Sequence, residues 1–157
     1  MEKPLWQPSE QKKQNSLLED FSKFINFKSD KNFKNLWEWS VKNPEKFWSE
    51  FWDYSKVIGD KGKEIIKKNK IFNQVKFFPD SKINYAENIL KKKNDDTAIH
   101  FLSEKGFEEN ITWKDLYIKV CKLSAYLKTL DLQKGDRVAA YVPNKIESII
   151  CFLACAK

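Results

Sequence analysis

Three cysteines and one histidine are the thiol and imidazole ligands that this chain could offer to a metal ion such as zinc. Cys151 and Cys155 are four positions apart, so a helix would place both thiols on one face. A structural zinc site needs four ligands, yet neither aspartate nor histidine neighbours this pair, and Cys121 and His100 lie far away in the sequence. The pattern therefore favours buried, reduced cysteines of a cytosolic protein over a metal centre.

The other reactive residue types do not form a catalytic constellation. The four glycines, at positions 59, 62, 106 and 135, are too scattered for a phosphate-binding loop or a dinucleotide fingerprint. His100 falls on a predicted strand, where we expect a structural role, and the sequence contains no nucleophile elbow and no carboxylate pair in an apolar context. We therefore assign no catalytic, cofactor-binding or metal-binding residue within these 157 positions.

The charge pattern argues against a nucleic-acid partner. The net charge of +7 comes almost entirely from lysine, since Arg137 is the only arginine. Base contacts and bidentate phosphate contacts favour arginine, so we interpret the lysines as a solvated surface. No apolar run has the length of a signal peptide or of a membrane span. We expect a cytoplasmic protein that binds neither nucleic acid nor membrane.

The stretch from Gly135 to Lys157 predicts a buried strand, a sharp turn and a helix. Val138–Val142 is an almost continuous apolar run, as expected for a strand covered on both faces in an α/β sheet. Asn144 and Glu147 have the spacing of a helix-capping pair. The helix then carries an apolar face made of Ile149, Ile150, Phe152, Leu153 and Ala156. Because no second strand follows, we expect the truncated opening of a longer protein, whose partner is the missing remainder of its own chain.

Residues 1–96 are predicted to form a helical, aromatic-rich region. Ser9 has the position of an N-cap for one amphipathic helix that extends to Ile25. Trp6 before it is expected to pack onto a neighbouring surface, and a frayed terminus is the alternative. Asn43 and Pro44 start a further helix with an aromatic stripe. The stripe consists of Phe47, Trp48, Phe51 and Trp52. Such a stripe is typical of a core, and a peptide groove or a base-stacking platform is the alternative.

After the aromatic stripe, we expect a loop with a short helix over residues 57–73, a capping pair at Asn84 and Glu87, and a linker at residues 91–97. Residues 97–157 are then predicted to begin an α/β domain. A hairpin through Gly106 and a helix capped by Thr112 follow. The predicted core combines Leu116, Val120, Leu123 and Leu127 of that helix with Val138, Ala140, Tyr141, Ile149 and Phe152, and Leu130 continues the helical stripe. The predicted fold class is α/β, with a helical N-terminal region before the incomplete start of a doubly wound domain.

Five stretches resemble the opening of the AMP-forming acyl-CoA ligases, a family of adenylate-forming enzymes, and in particular its acetoacetate branch. They are LWQPS (5–9), LWEWSVKNPEKFWSEFWDY (36–54), FFPDSKINYAENIL (77–90), ITWKDLY (111–117) and GDRVAAYVPNKIESIICFLACAK (135–157). The last two are shared widely among adenylate-forming enzymes, whereas the first three, in this order, are similar to the acetoacetate branch. The resemblance covers nearly the whole chain.

The resemblance implies an N-terminal ligase region at 1–96 and the beginning of an AMP-binding domain at 97–157. Such ligases of lipid and ketone-body metabolism join a carboxylate, here acetoacetate, to coenzyme A with ATP and Mg²⁺, releasing AMP and diphosphate. The family's phosphate loop, ribose-binding aspartate and catalytic lysine match no position here, so this chain alone is expected to be inactive and to bind no cofactor. The alternatives are an acetate or propionate ligase and a non-catalytic interaction module that uses the aromatic helices of residues 36–54.

Overall fold

The computed structural model describes residues 5–27 and 33–157, which belong to two compact units, residues 1–82 and 83–157. The division at 82/83 precedes the linker predicted at residues 91–97, and the predicted domain limit at 96/97 falls inside the second unit. Ala86 and Leu90 account for this difference, because both are buried in the core of the second unit. Short polar runs such as residues 91–97 also occur as surface loops within a domain.

The first unit begins with helices and continues with short strands. Among its described residues, the helices are α1 (Glu10–Gln14), α2 (Leu17–Phe24), α3 (Phe33–Lys42) and α4 (Pro44–Tyr54), followed by the strands β1 (Gly59–Asp60), β2 (Ile66–Lys67) and β3 (Lys76–Phe77). Strands β2 and β3 pair antiparallel, and a 3₁₀ turn spans Phe72–Gln74. The loop with a short helix predicted over residues 57–73 contains no α-helix, and the 3₁₀ turn begins at its end. Gly62 adopts a φ of +75°, which interrupts a right-handed helix there.

The single helix predicted from Ser9 to Ile25 is instead two helices. The Ser9 hydroxyl caps α1 as predicted, by accepting a hydrogen bond from the Lys12 N–H at 3.3 Å. The Ser16 hydroxyl then donates to the Lys13 carbonyl at 2.7 Å and accepts from the Glu19 N–H at 3.2 Å. One serine therefore ends α1 and starts α2.

Two further expectations about the first unit are wrong. Pro44 begins α4 as predicted, but the Asn43 amide donates to the Trp39 carbonyl at 3.1 Å and does not cap α4. The predicted packing of Trp6 is not observed either, since this side chain is 70% exposed.

The second unit follows strand β4 (Lys82–Ile83), which spans the boundary. Its elements are α5 (Tyr85–Ile89), β5 (Thr97–Leu102), β6 (Glu108–Thr112), α6 (Trp113–Lys128) and α7 (Ile146–Ala156). The predicted hairpin is confirmed, with β5 and β6 antiparallel and Gly106 at a φ of +77° in the connection. Both predicted caps are also confirmed. The Asn84 side chain accepts from the Glu87 N–H at 2.9 Å, and the Thr112 hydroxyl accepts from the Asp115 N–H at 3.0 Å.

The core of the second unit forms where α5, β6, α6 and α7 meet. Its buried residues are Ala86, Leu90, Ile111, Leu116, Val120, Ile146, Ile150, Leu153 and Ala154. Leu116 and Val120 are buried as predicted, and Leu123 and Leu127 pack against this core while remaining partly exposed. Leu130 lies beyond the end of α6 and is exposed, so the helical stripe ends earlier than predicted.

The orientation predicted for α7 is wrong in part. Helix α7 begins at Ile146 after an extended Lys145, so Asn144 and Glu147 do not form the predicted capping pair. Instead, the Ser148 hydroxyl donates to the Pro143 carbonyl at 2.6 Å. Ile149 and Phe152 point away from the core and are exposed. The helix is apolar on nearly all sides, so its sequence alone does not specify which side faces inward.

Val138–Val142 does not form the predicted buried strand. This segment has no regular secondary structure, and Val138, Ala140 and Tyr141 are exposed rather than part of the core. A strand needs a neighbour to satisfy its backbone donors and acceptors, and among the described residues no strand pairs with this segment. Apolar composition therefore predicted the wrong environment for these residues in this chain.

Candidate functional site

His100 lies on the surface of the β5–β6 hairpin. Its Nε2 atom is 3.3 Å from the Glu108 carboxylate on the adjacent strand, and both side chains are about half exposed. An exposed pair of this kind contributes little to stability. The structural role that its strand position predicts for His100 therefore stays a prediction.

The three cysteines do not converge. Cys121 on α6 and Cys151 on α7 are partly buried, and Cys155 is exposed, so the prediction that all three are buried is wrong. Cys155 lies on the part of α7 that other elements leave uncovered. Within residues 5–27 and 33–157, no three His, Cys, Asp or Glu side chains come close enough together to hold a metal ion.

The first unit is organised around Phe21, the most buried aromatic residue of its helices at 5% exposure. The Phe21 ring makes edge contacts with Phe47 and Phe51 of α4 at centroid distances of 5.9 Å, and with Tyr54 at 5.1 Å. Such edge contacts add to the free energy gained by burying the rings. The aromatic stripe of α4 therefore forms a core with α2, as its helical spacing predicts.

An apolar groove lies beside this aromatic cluster. It is lined by residues of α2, α3 and α4, and its volume is about 520 Å³. Phe21, Leu36 and Phe51 contribute to its apolar wall, while Ser40 and Ser55 are among its few polar residues. The groove and the core are therefore not exclusive alternatives, because Phe47 and Phe51 of α4 contribute to both.

Tyr54 is the titratable residue with the most distinct environment in the first unit. Its hydroxyl lies 3.1 Å from the Asp20 carboxylate and 3.2 Å from the Leu17 carbonyl. Desolvation raises the pKa of Tyr54 above 10.0, and the hydrogen bond and negative charge of Asp20 raise the pKa further. This tyrosine therefore stays neutral and donates a hydrogen bond across α2 and α4.

Two of the sequence blocks that carry the family resemblance contact each other within the first unit. Trp48 packs on Phe77 with ring centroids 5.0 Å apart, and Trp52 packs on Phe78 at 4.8 Å. Phe78 has a φ of +48°, an uncommon conformation for a bulky residue. The block at 77–90 thus begins with two aromatic residues that pack on α4.

A second apolar feature, which we term the C-terminal apolar surface, consists of Val138–Val142 and the outer face of α7. Val138 is 52% exposed, Ile149 is 44% exposed and Phe152 is 58% exposed. The Phe152 ring contacts Tyr85 at a centroid distance of 5.9 Å, and Tyr85 is itself more than half exposed. Exposed apolar side chains that lie together mark interaction sites more often than scattered ones do.

None of the helices in the described residues combines the length and hydropathy that a membrane span requires.

Two families match this chain at adjoining ranges. Residues 33–89 match the family described as acetyl-coenzyme A synthetase N-terminus, and residues 86–157 match the family described as AMP-binding enzyme. The junction between the two matches lies close to the division between the compact units at 82/83.

Individual relatives match over most of this chain and only part of their own length. The acetoacetyl-coenzyme A synthetase of Rhizobium meliloti (strain 1021) is 32% identical over 158 residues, which cover 99% of this chain and 24% of that protein. The acetyl-coenzyme A synthetase of Desulfatibacillum aliphaticivorans is 37% identical over 143 residues, covering 82% of this chain and 21% of that protein. The chain therefore spans between a fifth and a quarter of the length of these relatives.

A solved structure also matches nearly the whole of this chain and only part of its own length. The acetoacetyl-CoA synthetase from Streptomyces lividans superposes with a TM-score of 0.83 at 26% identity, over 99% of this chain and 25% of that chain. This match confirms the predicted fold class, a helical N-terminal region followed by the start of an adenylate-forming domain. The chain belongs to the AMP-forming acid–CoA ligase family, in which it is similar to the N-terminal quarter of acetoacetyl-CoA synthetases.

Proposed function

We propose that this chain is the N-terminal part of an ATP-dependent acetoacetate–CoA ligase, which converts acetoacetate, ATP and coenzyme A into acetoacetyl-CoA, AMP and diphosphate. The observation that carries the proposal is the similarity to the Streptomyces lividans acetoacetyl-CoA synthetase over 99% of this chain, at a TM-score of 0.83. The Rhizobium meliloti enzyme is similar over the same share of the chain. Similarity that includes both compact units supports one ligase better than it supports two unrelated modules.

In the proposed ligase, this chain contributes scaffold and not the reaction centre. The described residues offer no cluster of metal-ligating side chains, and the glycines of the sequence do not form a phosphate loop. These residues therefore do not fit ATP or Mg²⁺. We assign the sites for ATP, Mg²⁺ and coenzyme A to the part of the ligase that this chain does not match, and we assign no catalytic residue within it. The free cysteines support a cytoplasmic location for the enzyme.

A specific observation favours an acetate–CoA ligase as the second candidate. Identity to the Desulfatibacillum aliphaticivorans acetyl-coenzyme A synthetase is 37%, compared with 32% for the Rhizobium meliloti enzyme, although over 82% rather than 99% of this chain. The family matched by residues 33–89 also takes its description from acetyl-coenzyme A synthetase. We place acetoacetate first because the similarity to the Rhizobium meliloti enzyme includes 99% of this chain, compared with 82% for the acetate relative.

Segment exchange tests the proposal. In one chimera this chain replaces the matching region of the Rhizobium meliloti acetoacetyl-CoA synthetase, and in a second it replaces the matching region of the Desulfatibacillum aliphaticivorans enzyme. Each chimera is assayed for diphosphate release with its parent's own acid, and each parent lacking the region is the control. We expect substantial activity only in the acetoacetate chimera. Activity in the acetate chimera alone would favour the second candidate, and no activity in either folded chimera would contradict both.

A further inference from the structure

The β2–β3 hairpin of the first unit has two chemically different faces. Its register pairs Ile66 with Phe77 and Lys67 with Lys76. Ile66 is buried, and Phe77 packs on Trp48 of α4 with ring centroids 5.0 Å apart. Successive residues of a strand lie on opposite faces, so Lys67 and Lys76 lie together on the face directed away from α4.

The outer face of this hairpin concentrates positive charge. Residues 63–76 contain five lysines and a single carboxylate, so they carry +4 of the chain's net charge of +7. Lys67 and Lys76 are direct cross-strand partners, and like charges at such positions repel each other. Among the described residues, neither of these lysines belongs to an ion pair, whereas the neighbouring Lys68 lies 3.8 Å from Glu45. The repulsion between Lys67 and Lys76 is therefore not compensated within the described part of the chain.

A depression of about 510 Å³ lies on this hairpin, and its volume is within the range of small-molecule sites. Each residue that lines it carries an ammonium group or a side-chain amide: Lys67, Lys68, Asn69, Asn73, Gln74 and Lys76. The Asn69 side-chain oxygen accepts a hydrogen bond from the Ile71 N–H at 2.9 Å, so its NH₂ group is left to donate. With several donors, three positive charges and no carboxylate, this lining has the chemistry of an anion site.

We propose that this depression, which we term the lysine depression, binds a compact and multiply charged phosphate anion, of which diphosphate is the simplest example. Phosphate oxygens accept hydrogen bonds from ammonium and amide groups, and an anion between Lys67 and Lys76 would replace their mutual repulsion by attraction to a shared ligand. The concave, ligand-sized shape favours a small anion over an acidic protein segment or a membrane. The lining lacks the carboxylates that commonly hold Mg²⁺, so the anion would bind here without a metal ion, and this binding is independent of the ligase reaction proposed above.

Hydrogen exchange of the dilute 157-residue chain, measured by mass spectrometry during a diphosphate titration, tests this site. We expect slower exchange confined to residues 66–77, half-maximal at about 1 mM diphosphate and at higher concentrations when salt is added. Lys76→Glu should raise that midpoint at least about tenfold without lowering the melting temperature, because it places a carboxylate opposite Lys67. Lys12→Gln combined with Lys119→Gln is the matched control, since it lowers the net charge by the same amount at other exposed positions and should leave the midpoint unchanged.

Four outcomes would overturn the lysine depression as a phosphate site. Exchange at residues 66–77 that does not respond to diphosphate shows that no anion binds there, and an equal rise of the midpoint in the control variant shows that net charge alone attracts the anion. Hexaglutamate that protects these residues at lower concentrations than diphosphate would assign the depression to an acidic protein segment. Protection by vesicles that contain phosphatidylinositol phosphates, with none by free diphosphate, would assign it to a lipid surface. Each of these readouts is separate from ligase activity, so failure of the proposed function would leave them unchanged.

Discussion

The side-chain amide of Asn84 donates a hydrogen bond to the backbone carbonyl of Ala156 at 2.9 Å, across 72 positions of sequence. The oxygen of the same side chain caps α5 by accepting from the Glu87 N–H. Asn84 therefore satisfies a donor at the start of one helix and an acceptor at the end of another. The partly buried position of this hydrogen bond makes it a specific link between α5 and α7.

Asn84→Ala should lower the free energy of unfolding by about 2 kcal/mol, because both the cap and the bond to Ala156 are lost. Asn84→Asp keeps the capping oxygen but not the donor, and we expect a loss of roughly 1 kcal/mol. Urea unfolding at low protein concentration, followed by circular dichroism, measures both variants. Equal losses for the two variants would show that the Ala156 bond, and not the cap, accounts for the whole effect.

Phe21→Ala should destabilise the first unit by about 3 kcal/mol, since it removes a buried ring that contacts three other aromatic residues. Phe24 lies on the same helix but is 47% exposed, so Phe24→Ala is the matched control and should cost much less. Tryptophan fluorescence during chemical unfolding reports mainly on this unit, which holds five of the six tryptophans. Similar losses for both variants would contradict the central position assigned to Phe21.

The raised pKa of Tyr54 predicts a pH-dependent contribution to stability. The folded state holds the phenolic proton more tightly than the unfolded chain does, so the contribution is fully present below pH 10 and is lost as pH rises through the raised pKa. Tyr54→Phe should therefore be less stable than the wild type at neutral pH, with a difference that shrinks above pH 10. Lysines also titrate in that range, and comparison with the variant removes their effect. A difference that grows above pH 10 would refute the assignment.

The C-terminal apolar surface should make the isolated chain prone to aggregation. Ile149→Lys combined with Phe152→Lys should increase its solubility, because both residues are exposed. The control is Ile150→Lys with Leu153→Lys, which places charges in the core and should unfold the second unit. Light scattering and thermal unfolding measure the outcome. A wild-type chain that is monomeric and unfolds in one sharp transition would contradict this prediction.

The same lysine pair at positions 149 and 152 should have the opposite effect in the acetoacetate chimera. There the outer face of α7 is expected to be covered, and a buried lysine without a partner is destabilising. We therefore expect a lower melting temperature than in the unmodified chimera. An unchanged melting temperature would indicate that the face stays exposed to solvent.

The isolated chain should not release diphosphate from ATP in the presence of acetoacetate, because we assign it no phosphate-binding loop and no Mg²⁺ ligands. Diphosphate release from purified protein, with and without acetoacetate, checks this expectation. The acetoacetate chimera provides the positive control. Turnover by the chain alone above the rate without enzyme would reveal a site that the sequence and the described residues do not indicate.

Local chemistry determined much of this protein directly from its sequence. The caps at Ser9, Asn84 and Thr112 form as predicted because an N-cap needs only its own side chain and the N–H groups of the next turn. The β5–β6 hairpin follows from two short apolar runs around Gly106, which takes a positive φ. The five sequence blocks likewise identified the ligase family without any knowledge of the fold.

Tertiary structure alone decided which apolar residues are buried. Ile149 and Ile150 are adjacent and chemically equal, yet one is exposed and the other buried, because packing against α6 selects one side of a helix that is apolar all round. Val138–Val142 has the composition of an inner strand but lacks a paired neighbour among the described residues, and hydrogen bonding between strands is a non-local condition. The second role of Ser16, which ends one helix while starting the next, depends in the same way on where the preceding turn places its carbonyl group.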